Sequence, residues 1–260
     1  MTGDTTRRPI VAGNWKMNNT TAEAALLTQQ ILYEYQKLHK GVDVVLCPPF
    51  TDLRSVRVVL GFGKTDILLG AQDVYWENAG AFTGAISPLM LKELGCTYCI
   101  IGHSERREFF HETDETVNRK AQALFAQGIV PIICCGESLK TREAGKTEQF
   151  VTAQVRTALA GITAVDAAPV VISYEPIWAI GTGHTPTPEQ ADEICYAIRA
   201  TLAELYGNVF SEQTRILYGG SMKPSNVKHF APMPNIDGGL VGGAALNASD
   251  FMDLVKAFAI

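Results

Sequence analysis

The chain has 260 residues, 47% of them hydrophobic and 19% charged. That composition supplies a core of domain size and excludes disordered and fibrous classes. A formal charge of −5 and a pI of ≈ 5.6 exclude a strongly basic nucleic-acid surface, so anions must be held by local geometry. No apolar stretch approaches the roughly 18 residues of a membrane helix, and neither a membrane nor a nucleic acid is an expected partner.

From the N-terminus, Met1 to Pro9 is polar and ends in Arg7-Arg8. Only Ile10-Val11-Ala12 follows before Gly13-Asn14, too short for the apolar core of about 7–15 residues in an export signal. Residues 1–8 therefore read as a flexible tail, and the chain as cytoplasmic. Eight short apolar runs follow, at 10–12, 42–47, 67–72, 98–102, 129–135, 169–174, 215–218 and 239–242. Several are almost continuously apolar, as in Val42-Asp43-Val44-Val45-Leu46, the pattern of parallel strands covered by helices. Helical stretches alternate with them, the longest at 20–39, 112–127, 138–160 and 188–206. Thr20, Ser138 and Thr187 are suitable caps, Pro188 suits a first helical position, and Gly41, Gly128 and Gly207 stand where helices stop. Eight strand–helix alternations without an intervening linker predict a single α/β domain over residues 1–260, a (β/α)8 TIM barrel. No GxGxxG turn supports an open dinucleotide-binding sheet.

The six cysteines are Cys47, Cys96, Cys99, Cys134, Cys135 and Cys195. Cys96 and Cys99 have CxxC spacing, but no second pair or histidine cluster completes a metal site. They run into Ile100-Ile101 and read as small core residues. No metal is expected.

Chemistry in such a barrel gathers beyond the C-terminal ends of the strands. Those positions hold Asn14 and Lys16 after the first strand, His103 after the fourth, and Glu175 after the sixth. Glycine turns lie at Gly181-Thr182-Gly183, Gly219-Gly220-Ser221 and Gly242-Gly243. Glycine admits a ligand close to backbone N–H groups, so the turns suit a phosphate. Pro176, Trp178 and Ile180 can shed water from Glu175 and favour a base. Taken singly, each feature has an ordinary reading: a surface lysine, a structural histidine, a solvated carboxylate, a turn.

Five strings together carry more. Ala12-Gly13-Asn14-Trp15-Lys16-Met17-Asn18, Ile101-Gly102-His103-Ser104-Glu105-Arg106-Arg107, Tyr174-Glu175-Pro176-Ile177-Trp178-Ala179-Ile180-Gly181-Thr182-Gly183, Tyr218-Gly219-Gly220-Ser221 and Leu240-Val241-Gly242-Gly243-Ala244 resemble, in order, the motifs of the triosephosphate isomerase family. The resemblance implies Glu175 as the base, His103 as the electrophile, and Lys16 as the cation for developing enediolate charge. It implies substrate binding by Asn14, Lys16, Gly181, Ser221, Gly242 and Gly243, no cofactor, and a triose phosphate substrate in glycolysis and gluconeogenesis. It further implies a lid at 176–185, a Glu137–Trp178 hydrogen bond when the lid is open, and a homodimer through the loop around Thr83. Cys134 matches a family cysteine near the base. His184 and Pro186 in the lid depart from the family pattern. So does Ala85, which stands where an acid commonly pairs with the position of Arg106, so one intersubunit ion pair is expected to be missing. Competing readings are an isomerase of a four-carbon sugar phosphate, a non-catalytic sugar-phosphate-binding barrel, and a thiol oxidoreductase using Cys96 and Cys99.

Overall fold

The computed structural model describes residues 7–37, 41–180 and 185–259. Eight parallel strands close in sequence order: β1 (Ile10–Asn14), β2 (Asp43–Cys47), β3 (Leu68–Ala71), β4 (Tyr98–Ile101), β5 (Val130–Cys135), β6 (Val171–Tyr174), β7 (Arg215–Tyr218) and β8 (Gly238–Val241). β8 pairs back onto β1 from Ile10↔Gly238 to Gly13↔Val241, so no strand edge is left to recruit another chain. Each predicted strand is present. β1 runs past residue 12 because Gly13 and Asn14 still pair with Leu46 and Cys47.

Helices follow every strand. They are α1 (Thr21–Tyr35), α2 (Leu53–Gly63), α3 (Pro88–Glu93), α4 (Ser104–Phe110) and α5 (Asp114–Ala126). On the second half lie α6 (Leu139–Glu143), α7 (Thr147–Ala158), α8 (Ala164–Ala167), α9 (Pro188–Tyr206), α10 (Asn208–Gln213), α11 (Val227–Phe230) and α12 (Ala248–Phe258). The described residues thus form the predicted (β/α)8 barrel. α9 starts as its sequence dictates: Thr187 Oγ1 accepts the Gln190 N–H at 3.3 Å, and Gln190 Oε1 accepts the Thr187 N–H at 3.1 Å. The helix expected over 138–160 is instead two, α6 and α7. Gly145 between them takes φ +68°, a left-handed turn that an α-helix cannot contain. α1 ends at Tyr35, earlier than the 20–39 expected, and residues 38–40 lie outside the described residues.

Strand periodicity explains the continuous apolar runs. Ile10, Ala12, Ile132, Cys134, Val171, Leu217 and Leu240 fill the barrel interior. Their neighbours Val11, Ile133, Cys135, Ile172, Ile216 and Val241 pack outward beneath the helices. Both faces are buried, so both parities are apolar. From the other side, α12 contributes Phe251, Met252, Leu254, Val255 and Phe258, all buried. Burying each such side chain contributes about 1.5–3 kcal/mol. The two parities also aim the chemistry: Asn14 continues the inward set of Ile10 and Ala12, and Glu175 that of Val171 and Ser173.

The expected tail falls partly on residues 1–6, outside the described residues. Its last two residues are held. Arg7 Nε donates to Asp237 Oδ1 at 2.6 Å, and Arg8 Nε lies 2.6 Å from Asp43 Oδ1.

Candidate active site

At the C-terminal end of the barrel, Asn14, Lys16, His103, Glu175, Ser221, Gly242 and Gly243 line one cavity of about 640 Å³. Seven residues predicted from five separate strings are therefore brought together. Gly181 and His184 lie outside the described residues.

Lys16 stands in a left-handed conformation, φ +53°, which costs energy for a residue with a Cβ. Its surroundings hold it there. The Lys16 N–H donates to Asn14 Oδ1 at 3.0 Å, and Gln72 Nε2 donates to the Lys16 carbonyl at 2.9 Å. Nζ then reaches Glu105 Oε1 at 2.6 Å. A Cβ added at Gly242 would come within 3.3 Å of Lys16 Cε, whereas one at Gly243 would meet no protein atom within 4 Å. Gly242 thus makes room for the lysine, and Gly243 leaves open space for a ligand.

His103 follows Gly102, whose φ of +71° turns the chain from β4 into α4. The turn is fastened from outside, with the Gly102 N–H donating to Glu112 Oε1 at 3.0 Å and Arg107 Nε donating to the Gly102 carbonyl at 2.7 Å. The His103 ring caps α4: Nδ1 accepts the Glu105 N–H at 3.2 Å. An imidazole that accepts at Nδ1 carries its proton on Nε2. Nε2 lies 2.9 Å from Glu175 Oε1. This is a close electrostatic contact, off the line of a good hydrogen bond, and it leaves Oε1 without an aligned donor.

Glu175 is 2% exposed, and Oε2 accepts the Ser104 N–H at 2.9 Å. Burial by itself would raise its pKa. The His103 ring, the Ser104 amide and Lys16 oppose that and bring the carboxyl below its ordinary value. For His103, burial disfavours charge, but the Glu175 carboxylate outweighs it and raises the pKa. Taking a second ring proton would cost His103 the Glu105 amide bond, which sets a geometric brake on that charging. Glu137, behind the site, is raised by burial against the pull of Trp178. The Trp178 Nε1–H donates to Glu137 Oε1 at 2.8 Å, the contact expected for an open lid.

The arrangement joins an ionised carboxylate, an imidazole N–H and an ammonium around one space walled by glycine turns. It is suited to removing a carbon-bound proton and stabilising the oxygen charge that results. Ser104 and Glu105 were not assigned roles in the sequence, although the HSER string contains both. Lys223, which also lines the cavity, was missed too, and its only signal was its place two residues after Ser221.

Other expected features fare differently. Arg106 is already committed within its own chain, to Asp73 at 2.8 Å and Glu112 at 3.1 Å. Cys96 and Cys99 are buried; burial pushes the Cys96 thiol up to about 12 and Cys99 well above the ordinary thiol range, which removes the thiolate a redox pair needs. Cys134 is likewise fully buried, within the barrel interior. Among the described residues no cluster of His, Cys, Asp or Glu is arranged to hold a metal ion, and no helix is long and apolar enough to cross a membrane.

Comparison with known proteins points one way. The family model described as Triosephosphate isomerase matches residues 9–258. A triosephosphate isomerase of Caldanaerobacter subterraneus subsp. tengcongensis is 52% identical over 251 residues, covering 96% of this chain and 99% of its own. Proteins of the same name from Lactobacillus delbrueckii subsp. bulgaricus and Thermoanaerobacter sp. strain X514 are 49% and 52% identical over 250 residues, covering 96% of this chain and 98% and 99% of theirs.

Proposed function

The chain belongs to the triosephosphate isomerase family, and on that premise we propose that it interconverts D-glyceraldehyde 3-phosphate and dihydroxyacetone phosphate through an enediolate. It is an aldose–ketose isomerase, an intramolecular oxidoreductase of glycolysis and gluconeogenesis, and its compartment is the cytoplasm. The observation that carries the reading is the 2.9 Å approach of His103 Nε2 to Glu175 Oε1, in a cavity shared with Lys16 and Gly242-Gly243.

The reacting carbons bind in the cavity beside the imidazole and the carboxylate, whose 2.9 Å contact opens to admit them. Glu175 Oε1, free of an aligned donor, takes the proton from the carbon next to the carbonyl. Negative charge then builds on the carbonyl oxygen, where the His103 Nε2–H and the Lys16 ammonium already stand. His103 passes a proton between the two oxygens, and Glu175 returns its proton to the neighbouring carbon. Atoms and charge balance within these side chains. Asn14 orients the substrate as well as bracing Lys16. Ser221 and the amides of Gly242 and Gly243 bind the phosphate, and the further phosphate ligand expected at Gly181 lies outside the described residues.

The assay is direct: purified protein, glyceraldehyde 3-phosphate, and a coupled readout of dihydroxyacetone phosphate. Erythrose 4-phosphate as substrate, with formation of the four-carbon ketose phosphate followed directly by NMR, tests the four-carbon alternative. Glycerol 3-phosphate binding without turnover of either sugar would mean a non-catalytic barrel and end the proposal.

We also propose a homodimer through the loop around Thr83. The loop 77–84 is exposed, and its Phe82 ring packs on Tyr75, which stacks on Trp76. At the same end of the barrel, Met17 is 97% exposed. Ala85 supplies no acid, and Arg106 has intrachain partners, so packing rather than an intersubunit ion pair carries the contact. Sedimentation at micromolar concentration should give about twice the chain mass, and Thr83→Arg should halve it; a wild-type monomer would refute the dimer.

A further inference from the structure

We infer that Gln154, on α7 and outside the cavity, is a positioning residue for Glu175, acting through the main chain of Gly136. The inference rests on the reading of Glu175 as the base.

The β5–β6 pairing ends at Cys135↔Tyr174, but the contact between the two segments continues. The Glu175 N–H donates to the Cys135 carbonyl at 2.7 Å, and the Ile177 N–H donates to the Glu137 carbonyl at 3.2 Å. Gly136 lies between these bonds. A Cβ there would stand 1.8 Å from the Glu175 carbonyl oxygen and 2.7 Å from its carbonyl carbon. The backbone of Gly136 is therefore the surface on which the peptide of the base rests, with no space for a side chain between them.

What holds Gly136 is a side chain from the helical layer. Its N–H donates to Gln154 Oε1 at 2.8 Å, in a buried contact. Gln154 belongs to the core-facing stripe of α7, with Val151, Val155 and Ala158 as its buried neighbours on that face. A buried amide in an apolar stripe is costly unless it is hydrogen-bonded. Packing alone would be met by leucine or methionine, which cannot accept the N–H of Gly136. The glutamine thus links the helix layer to the backbone beneath Glu175, without touching the cavity.

Proton abstraction is sensitive to such support, since a misplacement of about 1 Å costs on the order of a hundredfold. Gln154→Leu and Gln154→Met should lower kcat roughly ten- to a hundredfold while KM and glycerol 3-phosphate affinity stay within about threefold. Gln154→Glu keeps an oxygen in place and should return kcat to within about threefold of the parent. In a Glu175→Gln background, Gln154→Leu should cost less than about twofold, because the group it positions is gone. Methionine carries the same test if the leucine variant does not fold. Unchanged kcat in the Leu or Met enzyme, a Glu variant as slow as leucine, parallel loss of glycerol 3-phosphate binding, or an equal loss in the Glu175→Gln background overturns the inference. Wild-type turnover by Glu175→Gln itself would instead overturn the base assignment.

Discussion

At the N-terminal end of the barrel, charges close on one another. Asp237 accepts from Arg7 at 2.6 Å, from Arg199 at 2.7 Å and from the Ile216 N–H at 2.8 Å, while Asp43 sits 2.6 Å from Arg8 and 2.9 Å from Arg215. At the C-terminal end, Lys16, His103 and Glu175 surround open space and keep donors and acceptors facing it. The same residue types serve two purposes. Where every charged group has a fixed partner, the cluster ties β1 to both of its neighbours across the closing seam. Where partners stand around a cavity, their unspent capacity is available to a substrate.

Breaking each end should have different consequences. Glu175→Ala should lower turnover by about a thousandfold or more while leaving glycerol 3-phosphate binding near its parent value; turnover within a few fold would remove Glu175 from the mechanism. Asp237→Ala should leave kcat per folded molecule within about twofold but cost about 3–5 kcal/mol in urea unfolding, because buried Arg199 loses its counter-charge. A large loss of kcat with unchanged stability would reverse the assignment of the two ends. Lys16→Ala should reduce kcat/KM by about 10²–10³ and weaken glycerol 3-phosphate binding as well, and unchanged kinetics would place the cation elsewhere. Arg8→Ala, at a half-exposed pair, should cost less than about 1 kcal/mol and be masked by salt.

The finest test is the titration of Glu175 in the free enzyme, followed by carboxyl NMR. Its folded pKa is depressed, so ionisation favours the folded state above the unfolded pKa of about 4.3. That contribution disappears as pH falls through the depressed value. His103→Gln removes the principal lowering contact and should move the titration upward; no movement would mean that the ring does not hold the carboxylate in its charged form.

Much of this was legible in the linear chain, for local reasons. Apolar runs of strand length, caps at Ser138 and Thr187, and stops at Gly128 and Gly207 each reflect the conformational preferences of a few neighbouring residues. Gly145 carried a readable warning that the stretch 138–160 contains a break, but helix periodicity on both sides obscured it. The strings around Lys16, His103 and Glu175 picked out, through the family they resemble, side chains that the structure brings to one cavity.

Barrel closure decided the rest. Glu175 is held by the amide of Ser104, 71 residues away in the chain, and its carboxylate meets His103 Nε2 at 2.9 Å and raises the pKa of the ring. Arg106 lost its freedom to Asp73 and Glu112. Gln154 acquired its place beneath Glu175 from the packing of α7 on the strands. Residue types and element periods are local properties that a sequence carries by itself, whereas orientation and protonation depend on contacts between distant segments, which come into being only when the strands assemble into the barrel.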